Sequence, residues 1–263
     1  HFKGGLALKF YDEEYETTLE DIEWTMGRTG QLTPVAILTP IEIDGTEVSR
    51  ASLHNISIMK ELGISHYGCK VMVYKANMII PQISQVIGND TNEIIVYPYK
   101  CPICGGNTSI HKENDSEVLY CDNPQCEGKL LNKIEHFFGK RGLDAKGISK
   151  ATISKLIDLG WVTRIRDVFD LWKHKDEWKA LPGFGEKSVS NILGAIETCK
   201  NCSLEAIISA AGIPLIGRTV AKDIAGRFAT YGAFKERVLG DFDFSSLDGY
   251  GYEMNKSLKS FDY

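Results

Sequence analysis

The sequence predicts a multidomain chain that begins with a small all-β barrel, continues into a four-cysteine module and ends in an all-α domain. Three observations support this fold class. Short alternating runs separated by turn signals fill most of the first hundred residues, four cysteines cluster between residues 101 and 126, and amphipathic helical patterns with glycine turns follow. The predicted boundaries are 27–99 for the barrel, 100–127 for the cysteine module and 128–263 for the helical domain.

The first part of the chain carries the signals of short β-strands. Residues 6–26 alternate between apolar and polar or acidic side chains, as a half-buried antiparallel strand pair does. Asp44 and Gly45 favour the positive φ angles of a tight hairpin turn. One short helix is predicted at 55–62, and further strands are predicted at 33–38, 41–48, 70–74, 82–87 and 93–97. This order is typical of a five-stranded oligonucleotide-binding (OB) barrel, and it also fits a generic small barrel.

The bulk composition excludes few classes of function. Of the 263 residues 43% are hydrophobic and 25% are charged, which is typical of a globular protein, and no apolar run is long enough to span a membrane. The net charge of -5 argues against a simple electrostatic DNA binder. The charge is uneven, however, because residues 1–50 hold four basic and ten acidic side chains, whereas residues 139–200 hold twelve basic and eight acidic ones. Since exposed charges more than about 10 Å apart are screened at physiological salt, the chain can still bind phosphates locally.

Four of the seven cysteines have the spacing of a metal site. Cys101 and Cys104 form a C-x-x-C pair, Cys121 follows after sixteen residues, and Cys126 follows after four more. Four thiolates at this spacing suit tetrahedral Zn²⁺, with iron in the same sulfur cage as the competing interpretation. Because four protein ligands leave no open position, we expect the zinc to be structural. The remaining cysteines are interpreted as ordinary packed thiols: Cys69, Cys199 and Cys202.

From residue 128 onward the sequence predicts helices joined by short turns that contain glycine. Helical patterns occur at residues 129–138, 150–159, 188–198, 204–211, 219–228 and 233–239, with an aromatic-rich stretch before Trp178. Gly183 and Gly185 belong to an apolar-Gly-apolar-Gly turn, in which the missing side chains let the backbone approach a partner closely. The helix after such a turn offers free N–H groups to an anion, and a DNA phosphate is the natural candidate.

This glycine turn recurs about every 30–40 residues, which indicates an array. The other three copies contain these glycines: Gly147, Gly217, and the pair Gly249 and Gly251. Ser149 replaces the second glycine of the first copy, and Leu215 replaces the first glycine of the third. Lys187 and Arg218 add positive charge beside the turns. We therefore predict a helix-hairpin-helix domain that follows the phosphate backbones of a duplex without reading its bases.

The order of barrel, cysteine module and helix-hairpin-helix array resembles the NAD-dependent DNA ligases of bacteria. The resemblance covers nearly the whole chain and is carried by the strings at residues 8–10, 27–36, 53–55, 79–82 and 183–188. Leu8-Lys9-Phe10 resembles the last motif of the family's adenylation domain, which implies that residues 1–26 end that domain and that Lys9 contacts the nucleotide phosphate. Residues 27–36 are similar to the opening of the family's OB barrel. The resemblance further implies that Arg28 and Lys75 contact DNA phosphates.

The resemblance also implies an activity for the intact protein. Such an enzyme seals nicks in duplex DNA during replication and repair, with NAD and Mg²⁺ as cofactors and with enzyme–AMP and DNA–adenylate intermediates. Nicked double-stranded DNA is then the partner, no membrane is involved, and the location is the cytoplasm of a bacterium or of a phage-infected cell, near the nucleoid. Lys9 would stabilise the AMP phosphate as charge develops on it.

Several positions depart from the family pattern. Asn77 and Met78 stand where a Gly–acidic pair is usual, and Lys75 stands where an arginine is usual. The nucleophilic lysine of a Lys-x-Asp-Gly motif is absent, since the similar string at residues 42–45 begins with glutamate. We therefore expect a ligase portion that cannot adenylate itself, that requires a missing N-terminal adenylation half as partner, and whose last repeat is truncated at Tyr263.

Two other functions fit part of the pattern. Repair and recombination proteins combine zinc modules with such hairpins, so the chain could be a non-enzymatic DNA-binding adaptor. Lys9 and residues 27–36 argue against an adaptor, which has no reason to carry them. In the third interpretation the turns serve only helix packing in a protein–protein scaffold, and the acidic face binds a partner.

Overall fold

The computed structural model describes residues 13–88 and 91–261, which form two compact units, the first ending at Cys126 and the second beginning at Glu127. Lys9 lies outside the described residues, so its predicted contact with a nucleotide phosphate stays a prediction. None of the described helices combines the length and the apolar character that crossing a membrane requires.

The first unit contains a closed five-stranded barrel. Its strands are β1 (Tyr15–Met26), β2 (Gln31–Ile43), β3 (Thr46–Ser52), β4 (Lys70–Ala76) and β5 (Ile80–Gly88), and helix α1 (Ile56–Glu61) lies between β3 and β4. The strand order is β1-β4-β5-β3-β2, and β2 pairs back with β1. Strands β3 and β5 are parallel, whereas the other neighbours are antiparallel. This closed arrangement confirms the predicted OB-type barrel.

Local sequence signals set the turns of the barrel. Asp44 and Gly45 both have positive φ angles, as the predicted hairpin turn requires. Asn55 begins α1, because its side-chain oxygen accepts a hydrogen bond from the Ile58 N–H at 3.0 Å. Gly63 follows the helix with φ +75°, in the left-handed conformation. The alternating side chains of the strands fill the barrel interior, which includes Leu19, Ala36, Leu38, Val71 and Val73.

Two strand predictions need correction. β1 is one long strand that pairs with β2 at Trp24↔Pro34 and with β4 at Tyr15↔Val73, so residues 15–26 belong to the barrel. The predicted barrel boundary at residue 27 is therefore too late, since alternation reads the same in one long strand as in a strand pair. Residues 93–97 do not form a regular strand, and their pairing is an isolated bridge between His66 and Ile94.

The cysteine module contains a hairpin that the sequence did not indicate. Strands β6 (Thr108–Glu113) and β7 (Ser116–Cys121) pair with each other, and β7 extends the barrel sheet at Gln31↔Tyr120 and Leu32↔Leu119. Two cysteines of the cluster, Cys101 and Cys104, precede β6. The module is thus joined to the barrel by backbone hydrogen bonds as well as by the chain.

In its described part the second unit is helical. The helices are α2 (Glu127–Phe138), α3 (Lys150–Asp158), α4 (Lys175–Ala180), α5 (Glu186–Cys199), α6 (Leu204–Ala211), α7 (Arg218–Arg227), α8 (Tyr231–Leu239) and α9 (Tyr252–Ser260), with 3₁₀ helices at Ile165–His174 and Phe244–Ser246. Two separate hydrophobic cores hold them. Phe138, Trp178 and Val189 belong to the first core, and Phe234 and Phe244 belong to the second. Each core contains two of the four glycine turns.

Candidate metal centre and nucleic-acid interface

A tight turn brings the first two cysteines together. The Cys101 N–H donates to the Gly106 carbonyl at 2.7 Å, and the Gly105 N–H donates to the Cys101 carbonyl at 2.9 Å. Gly105 has φ +67°, which favours glycine. A Cβ on Gly106 would lie 3.0 Å from Asn123 Cβ and 3.3 Å from Cys104 Sγ. The two glycines after the C-x-x-C pair therefore allow the chain to fold back around the sulfurs.

The four cysteines of the module converge on one point. Their Sγ atoms all lie within 4.8 Å of one another, and Cys104 Sγ and Cys121 Sγ are 3.7 Å apart. Zn–S bonds of about 2.3 Å in a tetrahedron place sulfurs about 3.8 Å apart, so the cluster fits one zinc ion. Cys101, Cys121 and Cys126 are buried and Cys104 is half-buried. The four sulfurs can supply a complete ligand shell, as a structural site requires.

The surroundings of the cluster favour thiolates unequally. Burial raises the pKa of the Cys104 thiol, but hydrogen bonds from the Gly106 N–H, the Asn123 amide and neighbouring thiols outweigh burial and lower it to about 6. Asn123 Nδ2 lies 3.5 Å from Cys104 Sγ. Burial raises the pKa of Cys121 to about 12. A cation is needed to offset the desolvation of the buried thiolates, which agrees with a metal-binding role.

The first barrel hairpin forms one wall of the cysteine cluster. The Cys121 N–H donates to the Gly30 carbonyl at 3.0 Å, and the Cys126 thiol lies 3.7 Å from the sulfur of Met26. Met26 packs against the three buried cysteines. Since Met26 ends β1 and Gly30 precedes β2, the barrel fixes this side of the cluster.

The four predicted glycine turns share one backbone conformation. The residue three positions before the first residue of each helix has a positive φ angle: Gly147 (+86°), Gly183 (+85°), Leu215 (+66°) and Gly249 (+82°). In three of the turns, the next residue donates its N–H to a carbonyl three residues back at 3.1 Å, from Phe184 to Leu181, from Ile216 to Ile213 and from Tyr250 to Leu247. These are the features of type II turns.

The helix starts after these turns are exposed. Gly185, Gly217 and Gly251 precede α5, α7 and α9, and these three helix starts have no side-chain cap among the described residues. A Cβ added to any of these three glycines would meet none of the described atoms within 4 Å. Ser149, in contrast, caps α3 by accepting a hydrogen bond from the Thr152 N–H at 3.1 Å. Three helices therefore present uncapped N–H groups that an anion can approach.

The predicted basic residues of the second unit lie beside these helix starts. Lys187 and Arg218 are exposed, and neither has a side-chain partner within residues 13–88 and 91–261. Glu186, the first residue of α5, carries the opposite charge and pairs with Lys179 at 2.8 Å. The two basic side chains are thus available for phosphates, while Lys179 offsets the carboxylate at the second turn.

The two predicted phosphate contacts of the barrel differ in exposure. Arg28, in the turn between β1 and β2, is half-buried, and its Nε is buried without a hydrogen-bond partner in the described structure. Lys75 is 9% exposed, and its Nζ donates to the Ile43 carbonyl at 2.6 Å. Alternation along β4 turns residue 75 inward with Val71 and Val73, so Lys75 is not presented to a ligand in this structure, and its phosphate contact stays a prediction.

The tip of the β4–β5 hairpin is a candidate contact that sequence reasoning did not assign. Asn77 and Met78 both have positive φ angles, and Met78 and Ile79 are 82% and 76% exposed. A large exposed apolar pair beside a strained turn is unusual on a protein surface. The sequence signal that could have indicated this contact is the departure of Asn77 and Met78 from the Gly–acidic pair that is usual in the resembled family.

Comparisons with known proteins agree with the barrel. Residues 16–93 match the family model of the NAD-dependent DNA ligase OB-fold domain, a range that begins within β1 and extends past β5. The described structure thus joins a barrel of the OB type to a cluster of four cysteines that could hold a metal ion. The chain belongs to the NAD-dependent DNA ligases.

Relatives named DNA ligase match most of the chain. The protein of Lachnoclostridium phytofermentans is 44% identical over 228 residues, which is 86% of this chain. That of Thermosipho africanus is 37% identical over 259 residues, or 96% of this chain, and that of Natronomonas pharaonis is 35% identical over 256 residues, or 97%. The chain spans about a third of the length of these relatives, between 34% and 38%.

Proposed function

We propose that this chain is the DNA-binding part of an enzyme that seals nicks in duplex DNA with NAD as the source of AMP. The observation that carries the proposal is the array of exposed glycine turns at the starts of α3, α5, α7 and α9, which accompanies the OB barrel of the ligase family. No comparison favours the non-enzymatic adaptor. The second unit is then a helix-hairpin-helix domain.

The helix starts after the glycine turns bind phosphates of the DNA backbone. The uncapped N–H groups that follow Gly185, Gly217 and Gly251 donate to phosphate oxygens, and the helix dipole favours the negative charge. Lys187 and Arg218 add charge-assisted contacts beside them. Because these contacts go to phosphates and not to base edges, they hold the protein on any DNA sequence, as nick sealing requires.

The barrel contributes a second set of DNA contacts. OB barrels bind oligonucleotides with one face and with the loops after their first and fourth strands. Arg28 lies in the first of these loops and the Met78 tip in the second. We assign the phosphate contact to Arg28 and the apolar contact to the tip, whereas Lys75 supports the barrel from inside.

The metal centre is structural. Cys101, Cys104, Cys121 and Cys126 hold one Zn²⁺, which fixes a segment too short to bury a core of its own. The remaining chemistry requires the N-terminal adenylation half as partner, since the Lys-x-Asp-Gly lysine is absent. In the intact enzyme NAD would supply AMP, Mg²⁺ would supply positive charge at the phosphates, and Lys9 would contact the AMP phosphate. The location would be the bacterial cytoplasm, near the nucleoid.

Titration of a labelled nicked duplex with the purified chain tests the proposal. Fluorescence anisotropy should show binding at low salt with no preference for base sequence. The logarithm of the association constant should fall linearly as the logarithm of the salt concentration rises. Incubation with NAD labelled in its adenylate group should leave the chain unlabelled. Absence of binding at low salt would favour the scaffold, and a labelled band would contradict the need for a separate adenylation half.

A further inference from the structure

The four glycine turns of the second unit form two consecutive pairs: the turns before α3 and α5, and the turns before α7 and α9. One charged side chain occupies the same position in each pair. Lys155 lies six residues after Ser149, the residue that caps α3. Asp223 lies six residues after Gly217, which stands at the same place before α7. Each of these helices follows the first glycine turn of its pair, and each of these side chains reaches the second turn.

In the first pair, Lys155 contacts the turn before α5. Its Nζ donates to the Pro182 carbonyl at 3.1 Å and lies 5.3 Å from the ring centroid of Phe184. Pro182 and Phe184 flank Gly183, whose positive φ forms the turn. Lys155 therefore contacts both the backbone of the turn, at Pro182, and the aromatic side chain of the turn, at Phe184.

In the second pair, Asp223 contacts the turn before α9. The Tyr250 hydroxyl donates to Asp223 Oδ2 at 2.9 Å, and Arg227 Nε donates to the same oxygen at 2.7 Å. The Arg227 guanidinium also lies 5.9 Å from the centre of the Tyr250 ring. Tyr250 follows Gly249 as Phe184 follows Gly183, and it is only 8% exposed. The aromatic residue of each second turn is thus held by the preceding hairpin.

We propose that Lys155 and Asp223 are positioning residues that set the spacing between consecutive phosphate-binding turns. The inference rests on the proposed function, since it assigns a role to contacts within the DNA-binding array. Consecutive phosphates of a duplex lie at fixed separations, so two turns bind tightly only when their own separation is fixed beforehand. Each side chain provides that constraint by joining a helix that starts at one turn to the backbone or aromatic ring of the next.

Asp223 makes this inference testable because its charge has the wrong sign for a DNA-binding surface. The carboxylate is 45% exposed, so simple electrostatics predicts that its removal strengthens DNA binding. A positioning role predicts the opposite result whenever the hydrogen bonds are lost as well. A substitution of Lys155 cannot separate electrostatics from positioning, because the loss of its positive charge weakens DNA binding in either case.

The experiment uses the full chain, a labelled nicked duplex and fluorescence anisotropy at one salt concentration. Asp223→Asn removes the charge and keeps an oxygen that accepts both hydrogen bonds, so we expect affinity equal to or higher than wild type. Asp223→Ala and Tyr250→Phe should each weaken binding by about five- to tenfold. Asp223→Ala removes the charged acceptor itself, and Tyr250→Phe removes the hydroxyl that donates to it. Glu236→Ala, an exposed carboxylate on α8, controls for the charge.

Thermal unfolding curves of all variants identify a temperature at which every one of them is folded, and binding is measured at that temperature. If Asp223→Ala does not fold, Tyr250→Phe still tests the inference, because it keeps the packed aromatic ring. Wild-type binding together with equal affinities of the Asn and Ala variants would overturn this inference and leave the proposed function intact. So would a lower melting temperature with unchanged affinity, which is the mark of a purely structural contact. Absence of binding by the wild type would overturn the proposed function, and the inference with it.

Discussion

Leu215 occupies, in the third glycine turn, the left-handed backbone position that Gly183 occupies in the second. The φ angle is +66° at Leu215 and +85° at Gly183. A side chain in this conformation crowds its own backbone, at a cost of about 1–2 kcal/mol. The Leu215 side chain is 61% exposed and therefore recovers little of this cost by burial.

We expect Leu215→Gly to raise the free energy of unfolding by up to about 1 kcal/mol, because the strain of the left-handed residue is removed. Gly183→Ala is the matched control and should lower it by about 1 kcal/mol. The described structure leaves space for the added Cβ, so the penalty comes from the backbone alone. Urea unfolding measures both changes. A destabilised Leu215→Gly variant would show that the leucine side chain contributes contacts that its exposure does not suggest.

Short-range signals explain why much of the architecture was predictable. The spacing of the four cysteines places their sulfurs together, and Asn55 and Gly63 delimit α1 as their cap preferences require. The helix predicted at 204–211 has the bounds of α6, because Ser203 begins it and Gly212 ends it in the left-handed conformation. The positive φ angles at three predicted turn glycines follow from the same local chemistry.

The features that sequence missed depend on contacts between distant residues. Alternation in residues 6–26 could not reveal that β1 joins the barrel, because pairing with β2 and β4 decides this. The orientation of Lys75 depends on the distant Ile43 carbonyl, which the sequence around residue 75 does not indicate. The Asp223–Tyr250 hydrogen bond spans two hairpins, and neither hairpin signals it alone.

Metal removal should affect the cysteine module selectively. Cys121→Ser removes one ligand of the cluster, so we expect the purified variant to lose its zinc, while wild type retains one ion per chain. Cys199→Ser is the control, because Cys199 is equally a buried thiol but lies outside the cluster. Elemental analysis of the purified proteins measures the metal. Iron in place of zinc would change the identity of the metal but support a metal site at the four cysteines. Absence of metal from the wild-type protein would contradict the proposed metal site.

Asp167 should make the second unit sensitive to acid. Burial raises the pKa of its carboxyl, but hydrogen bonds from the Thr163 N–H and hydroxyl and from Arg164 outweigh burial and lower it to about 2. The unfolded value is about 4, so the folded pKa is the lower one. The carboxylate therefore stabilises the fold above about pH 4, and this contribution of about 1–2 kcal/mol disappears as pH falls toward 2.

The free energy of unfolding, measured by urea titration between pH 2 and 5, checks this expectation. Asp167→Asn should be less stable than wild type at pH 5, and the difference should shrink as the pH approaches 2. Asp158→Asn, an exposed carboxylate on α3, should show no comparable trend. A constant difference across the range would mean that the Asp167 pKa is not lowered in the folded protein.

Arg28 and Lys75 offer a comparison of two basic residues in the same barrel. Both were predicted to contact DNA phosphates, yet only Arg28 lies in a loop with part of its side chain exposed. Lys75 directs its Nζ to the Ile43 carbonyl inside the barrel. Each phosphate contact by a basic side chain releases counterions and contributes about 0.9 to the slope of log K against log salt.

Arg28→Met and Lys75→Met each remove one positive charge and keep an unbranched apolar side chain, so the net charge changes equally. We expect Arg28→Met to reduce the salt slope of binding to a nicked duplex by about 1, because one phosphate contact is lost. Lys75→Met should leave the slope unchanged, since a side chain bonded to the Ile43 carbonyl releases no counterion. Anisotropy titrations at four or more salt concentrations measure both slopes. An equal reduction in the Lys75 variant would mean that its ammonium group leaves the barrel interior and reaches a phosphate when DNA binds.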